Sequence, residues 1–100
     1  MMQTKPVTWE TIEEEVLLEE TTSEISELIV YNDDVNTFDW VIESLMDICK
    51  HTFEQAEQLS LIVHFRGKAI VKTADFPTLL PMKDGLCDRG LSAVIETIKV

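Results

Sequence analysis

The residues of this chain best suited to chemistry are Asn32-Asp33-Asp34, together with His64 further on. The three neighbours carry side-chain oxygens, and a neutral imidazole adds a ring nitrogen acceptor, so the set suits an ammonium group. Asp33, Asp34 and His64 are also chemically able to hold a metal for hydrolysis, but no second histidine stands at a helical spacing useful for such a site. Phe38, Val41 and Val63 are placed to line an apolar hollow beside the acceptors. A ligand with a positive head and a large apolar side chain fits this set. A free peptide N-terminus with a large first residue is such a ligand.

Each part has a plainer explanation. Asn and Asp favour turns because their side chains bond nearby backbone N–H groups. A histidine near a helix C-terminus is stabilised by the helix dipole without any ligand. The combination is more specific. Ser60, Val63 and His64 stand at i, i+3, i+4 on one helical face, and Phe38 and Val41 share a face of the preceding helix. If those faces meet, they enclose an apolar slot with His64 and the Asn-Asp-Asp turn at its rim, where the Asn32 amide oxygen and the Asp34 carboxylate could accept from an ammonium. Each hydrogen bond to a charged group is worth about 1.5–3 kcal/mol. Burying a Leu- or Phe-sized side chain is worth about as much, ~1.5–3 kcal/mol. Neither comfortably overcomes the entropy of association alone, so head and side chain are needed together.

The elements that must position these residues are legible in the pattern. Leu28-Ile29-Val30-Tyr31 is a β-favouring run that stops at the Asn-Asp-Asp turn. Asn36 reads as a helix N-cap with Asp39 at N3, and apolar residues at i, i+3, i+4, i+7 carry the helix to about Cys49. His51 ends it as a C-terminal cap. Thr52-Phe53-Glu54-Gln55 matches a capping box, opening a second helix that Gly67 ends. Ala69-Ile70-Val71 reads as a second strand. Thr78 as N-cap would put Pro81 at N3, where its missing N–H loses no intrahelical bond, and this third helix would run to Gly90. Leu91, Ala93 and Ile95 alternate with Ser92, Val94 and Glu96 in a third strand. The order β-α-α-β-α-β implies an α+β domain, three helices packed on a three-stranded antiparallel sheet.

Composition narrows the function. One hundred residues with a net charge of −11 make one domain and argue against nucleic acid, which needs a basic face. Residues 1–27 hold eight glutamates against Lys5, a net of −7. Residues 1–24 lack sustained periodicity and read as a flexible acidic extension preceding a core domain at 25–100. Within the extension, Trp9, Ile12 and Val16 to Leu18 are candidates to dock on a partner. No run approaches the ~20 apolar residues of a membrane span, and no signal pattern opens the chain, so a cytoplasmic location is expected. A monomer is expected as well. Cys49 and Cys87 lack metal-ligand spacing and are expected as buried free thiols. No nucleophile elbow or phosphate loop is present, which favours binding over catalysis.

Residues 28–34, the helix after them, Glu54-Gln55-Ala56-Glu57-Gln58-Leu59, Val63-His64 and Gly67-Lys68-Ala69 resemble ClpS. This is the bacterial adaptor family that delivers N-degron substrates to the Clp AAA+ protease. The resemblance covers roughly residues 25–98 and is strongest from 28 to 70. It implies that Asn32, Asp33, Asp34 and His64 gather around the substrate α-amino group. It further implies that Asn36, Phe38, Val41, Ser60 and Val63 form a hydrophobic pocket for Leu, Phe, Tyr or Trp. The partners implied are N-terminal segments of substrate proteins and a Clp unfoldase, ClpA- or ClpC-like, engaged by the extension; no cofactor is implied. Three positions depart from the family pattern. Its Thr-Pro at the helix start is Asn36-Thr37, its frequent gate methionine is Phe38, and another frequent lining methionine is Ser60. These last two keep open a regulator that docks on the unfoldase without reading N-degrons.

Overall fold

The computed structural model describes residues 24–99. The acidic extension expected at 1–24 lies outside the described residues, except Glu24, which opens the first strand. Strand β1 (Glu24–Tyr31) leads through helices α1 (Phe38–Cys49) and α2 (Phe53–Arg66) to β2 (Lys68–Ala74), and then through α3 (Phe76–Asp88) to β3 (Ser92–Lys99). The strands form one antiparallel sheet in the order β2-β1-β3. The architecture expected from the residue pattern is the one observed.

The central place of β1 explains its continuous apolar run. Leu28, Ile29 and Val30 are all buried, so neither face of the strand's centre is left polar. Opposite Leu28-Ile29 the pairing jumps from Lys72 to Ile70, which leaves Val71 as the extra residue of a β-bulge. The helices cover one face of the sheet, and their contact is built from Leu45, Leu79 and Leu86, none of which is exposed at all. Each such leucine contributes about 1.5–3 kcal/mol of burial.

The capping box forms as expected. The Thr52 hydroxyl accepts from Gln55 N at 3.1 Å, and Thr52 N donates to Gln55 Oε1 at 3.0 Å. Gly67 ends α2 in the left-handed region at φ 93°, with its N–H donating to the Val63 carbonyl. The end of α3 is a Schellman motif: Gly90 N donates to Cys87 O at 2.9 Å and Leu91 N to Leu86 O at 3.0 Å.

Four local expectations are corrected. The N-cap of α1 is Thr37, whose hydroxyl accepts from Trp40 N at 3.1 Å, because the Asn36 side chain is engaged elsewhere. The N-cap of α3 is Asp75, so the helix starts before Thr78, puts Pro77 in its first turn and carries Pro81 inside. Pro77 suits that turn because its N–H would be unused there. His51 does not cap α1. Lys50 does so in the left-handed conformation, while His51 Nε2 donates to the Val71 carbonyl at 2.7 Å, tying the α1–α2 link to β2.

The fourth correction concerns the thiols. Cys49 is buried, but Cys87 is exposed. It lies one position round the helix from buried Leu86, so the same periodicity that buries one residue turns the other outward. Burial pushes the Cys49 thiol up to about 11, with Lys72 acting weakly the other way. Iodoacetamide at neutral pH is therefore expected to alkylate Cys87 in the native protein and Cys49 only in denaturant. Equal native rates, followed by mass spectrometry, would contradict this packing.

Candidate ligand-binding site

The central strand ends at Tyr31 and releases the Asn-Asp-Asp turn directly beside the end of α2. Asn32 N donates to the Gly67 carbonyl at 2.8 Å. Gly67 stands three residues after His64, so this one bond brings the turn and the histidine to the same place.

Asp33 builds the turn. Its Oδ1 accepts from Val35 N at 3.0 Å and Asn36 N at 2.9 Å, while Oδ2 accepts from Asn36 Nδ2 at 2.9 Å and Ser92 Oγ at 3.2 Å. Asn36 Nδ2 also donates to the Gly90 carbonyl at 2.8 Å, so the turn is fastened to the start of β3. The Asn36 backbone N–H, helped by the bonds from Val35, the Asn36 side chain and Ser92, holds the Asp33 carboxyl below the usual carboxylate range, against the opposing effect of desolvation.

Helix α1 is then anchored at its far side. Trp40 Nε1 donates to the Arg89 carbonyl at 3.0 Å, and the Arg89 guanidinium lies over the indole at 5.3 Å while pairing with Asp47 at 3.1 Å. This holds the first turn of α1 against the end of α3 and fixes where Phe38 and Val41 face.

Between these elements lies a cavity of about 220 Å³. All nine residues nominated from the sequence line it. The floor and walls are Val41, Ser60 and Val63, each at most 9% exposed, with Phe38 at 37% standing at the mouth. Asn32, Asp34 and His64 form an exposed polar rim, and Asp33 and Asn36 lie half-buried between rim and wall. The side chains of Asn32 and Asp34 make no hydrogen bond within the described residues, and the His64 ring makes only an edge contact with Phe65 at 4.8 Å. Asp33 thus differs from the residues it was grouped with: its oxygens hold the turn, while theirs face solvent uncommitted.

The contacts that sequence reasoning missed are the long-range ones, from Gly67, Gly90 and Ser92. Gly67 and Gly90 were visible only as helix stops, and Ser92 carried no signal at all. Among the described residues, no group of three or more His, Cys, Asp and Glu side chains converges as a metal site would require.

By architecture the protein is a small α+β domain with a polar-rimmed apolar cavity between α1 and α2. Residues 22–92 match the family described as ATP-dependent Clp protease adaptor protein ClpS, and the chain belongs to that family. The ATP-dependent Clp protease adapter proteins ClpS of Campylobacter jejuni subsp. jejuni and of subsp. doylei are each 46% identical to it over 43 residues, 43% of this chain. The chain spans about half the length (45%) of these curated relatives. A solved structure of Agrobacterium tumefaciens ClpS2 bound to L-phenylalaninamide superposes with a TM-score of 0.65 at 13% identity. It covers 76% of this chain and 99% of that one, a likeness of fold. No described helix is long and apolar enough to cross a membrane.

Proposed function

We propose that this domain is a cytoplasmic N-degron adaptor. It binds the free α-amino group and large first residue of a substrate protein, Leu, Phe, Tyr or Trp, and delivers that protein to a Clp AAA+ unfoldase, ClpA- or ClpC-like. It does no chemistry on the substrate. The observation that carries this reading is the rim of uncommitted acceptors, Asn32, Asp34 and His64, directly above a buried apolar cavity. An ammonium group brings three donors to that rim, and the attached side chain displaces water from the cavity. Asp33 adds negative charge and holds the turn in place. A metal-dependent hydrolase is disfavoured because the Asp33 oxygens are already engaged by the turn.

One observation favours a second reading. Phe38 at the mouth is larger and stiffer than a methionine gate, which suits a regulator that docks on the unfoldase without admitting a substrate residue. Anisotropy titrations with labelled peptides beginning Leu, Phe, Tyr or Trp separate the two. Saturable binding by at least one, and none by a peptide beginning with glycine, is expected; silence from all four moves the assignment to the regulator. Delivery is a separate step. Removing residues 1–23 is expected to leave peptide affinity within about twofold while abolishing the adaptor's acceleration of unfoldase-dependent degradation. A truncated protein that still accelerates degradation would refute the role of the extension.

A further inference from the structure

Two buried serine hydroxyls in the described residues have no hydrogen-bond partner, Ser44 and Ser60. Ser44 is enclosed in the helical layer and does not line the cavity. Ser60 is 2% exposed and does. A helical serine can satisfy itself on the carbonyl one turn back, but Ser60 makes no such bond here. A buried hydroxyl left unpaired is destabilising, and it can act as both donor and acceptor. The apolar part of the lining is Val41, Val63 and the ring of Phe38, and the Asn36 amide N–H group that also lines the cavity is already engaged by Asp33 and the Gly90 carbonyl. No described residue supplies that partner, so a water or a polar group of a ligand seated deep in the cavity is what can supply it.

Two further features narrow that ligand. The cavity of about 220 Å³ exceeds the ~150 Å³ that accommodates a benzene ring in a dry protein interior. It leaves room for a ring and a small substituent. Ser60 lies four residues before His64 on α2, about 6 Å along the axis. That separation is within the reach of an aromatic side chain whose α-amino group sits at the His64 rim. Leucine and phenylalanine would fill the space but leave the hydroxyl unpaired. The tyrosine phenol can both donate and accept, whereas an indole is bulkier and only donates.

We infer that Ser60 makes this a tyrosine-selective pocket, so that proteins with an N-terminal tyrosine are the preferred substrates. The inference rests on the N-degron reading and names the substrate class for that same site. Ser60 acts as a specificity determinant through a bond to the phenol oxygen.

The test compares peptides beginning with tyrosine, 4-methylphenylalanine or phenylalanine, each free and N-acetylated, on the full chain and on Ser60→Ala. The methyl analogue matches tyrosine in size but lacks the hydroxyl, so its comparison isolates the bond from volume. The tyrosine peptide is expected to bind about three- to tenfold tighter than the methyl analogue, the range of one net hydrogen bond. In Ser60→Ala that ratio is expected to fall to one or below. Free peptides that bind no better than their acetylated forms would sink the N-degron reading and this inference with it. Free peptides that do bind better, but with tyrosine no tighter than the methyl analogue, would overturn the Ser60 assignment alone. So would a tyrosine preference that survives in Ser60→Ala. Should that variant fail to fold, the wild-type comparison of the two para-substituted peptides still decides.

Discussion

Acetylating the α-amino group of a peptide that begins with a large apolar residue is expected to weaken its binding by at least a hundredfold. The free ammonium carries a full charge and three donors; the acetylated nitrogen is neutral and keeps one. Asn32, Asp34 and His64 stand at the rim with acceptors that no other described side chain engages. Losing two charge-assisted bonds at about 1.5–3 kcal/mol each removes about 3–6 kcal/mol, which is two to four decades in affinity. Salt separates local from long-range effects. A net charge of −11 attracts any cation from a distance, but that attraction is screened beyond ~10 Å at 0.1 M salt. The ratio of free to acetylated affinity should therefore persist at high salt even as both affinities decline. A ratio below tenfold in anisotropy titrations would mean that the rim does not grip the ammonium.

The second large effect belongs to Asp33→Ala, which should cost both stability and binding. Its carboxylate accepts from two backbone N–H groups, from the Asn36 amide and from Ser92, and so joins the turn to α1 and to the start of β3. Removing it leaves those donors to water and frees the turn that positions Asn32 and Asp34. A loss of about 2–4 kcal/mol is expected in urea unfolding, less than the sum of the separate bonds because the site is partly open to solvent. The Asn variant keeps one acceptor oxygen and should recover part of it.

The pH dependence has a definite sign. The Asp33 carboxyl sits below its ordinary value in the folded protein, first through the Asn36 backbone N–H. Its contribution is then fully present above the unfolded value near ~3.9 and is lost as the pH falls through the lower folded one. The stability gap between wild type and Asp33→Ala should be constant at neutral pH and close in acid. A gap that widens in acid, or an Ala variant that melts and binds like wild type, would rule out the anchoring role.

The accuracy of the local assignments follows the range of the interactions that decide them. Thr52 and Gln55 are three residues apart and cap α2 as expected, because both partners of each bond lie in one turn. The buried β1 run and the Gly67 and Gly90 stops are likewise local preferences. Two of the errors arose where a distant partner competed for a side chain. Asn36 is as good an N-cap as Thr37 by residue type, but its amide is taken by Asp33 and the Gly90 carbonyl. His51 ends a helix in sequence, yet the nearest acceptor is the Val71 carbonyl on β2. Cys87 looked as buried as Cys49 until the orientation of α3 was known.

Spacing alone determined which residues share a face. Ser60, Val63 and His64 had to lie together on α2, and Phe38 with Val41 on α1, because a helix repeats every 3.6 residues. Type and order also determined that acceptors follow the central strand. Whether the two helical faces meet was for the tertiary structure to decide, through the burial of Leu45, Leu79 and Leu86 and the Asn32–Gly67 bond. It also divided the three acceptors by task, engaging Asp33 in the turn and leaving Asn32 and Asp34 open, and it left the Ser60 hydroxyl without a partner. The bonds from Ser92 to Asp33 and from Asn36 to Gly90 join residues 59 and 54 positions apart. No periodicity encodes such pairs; they follow from packing the helices on the sheet.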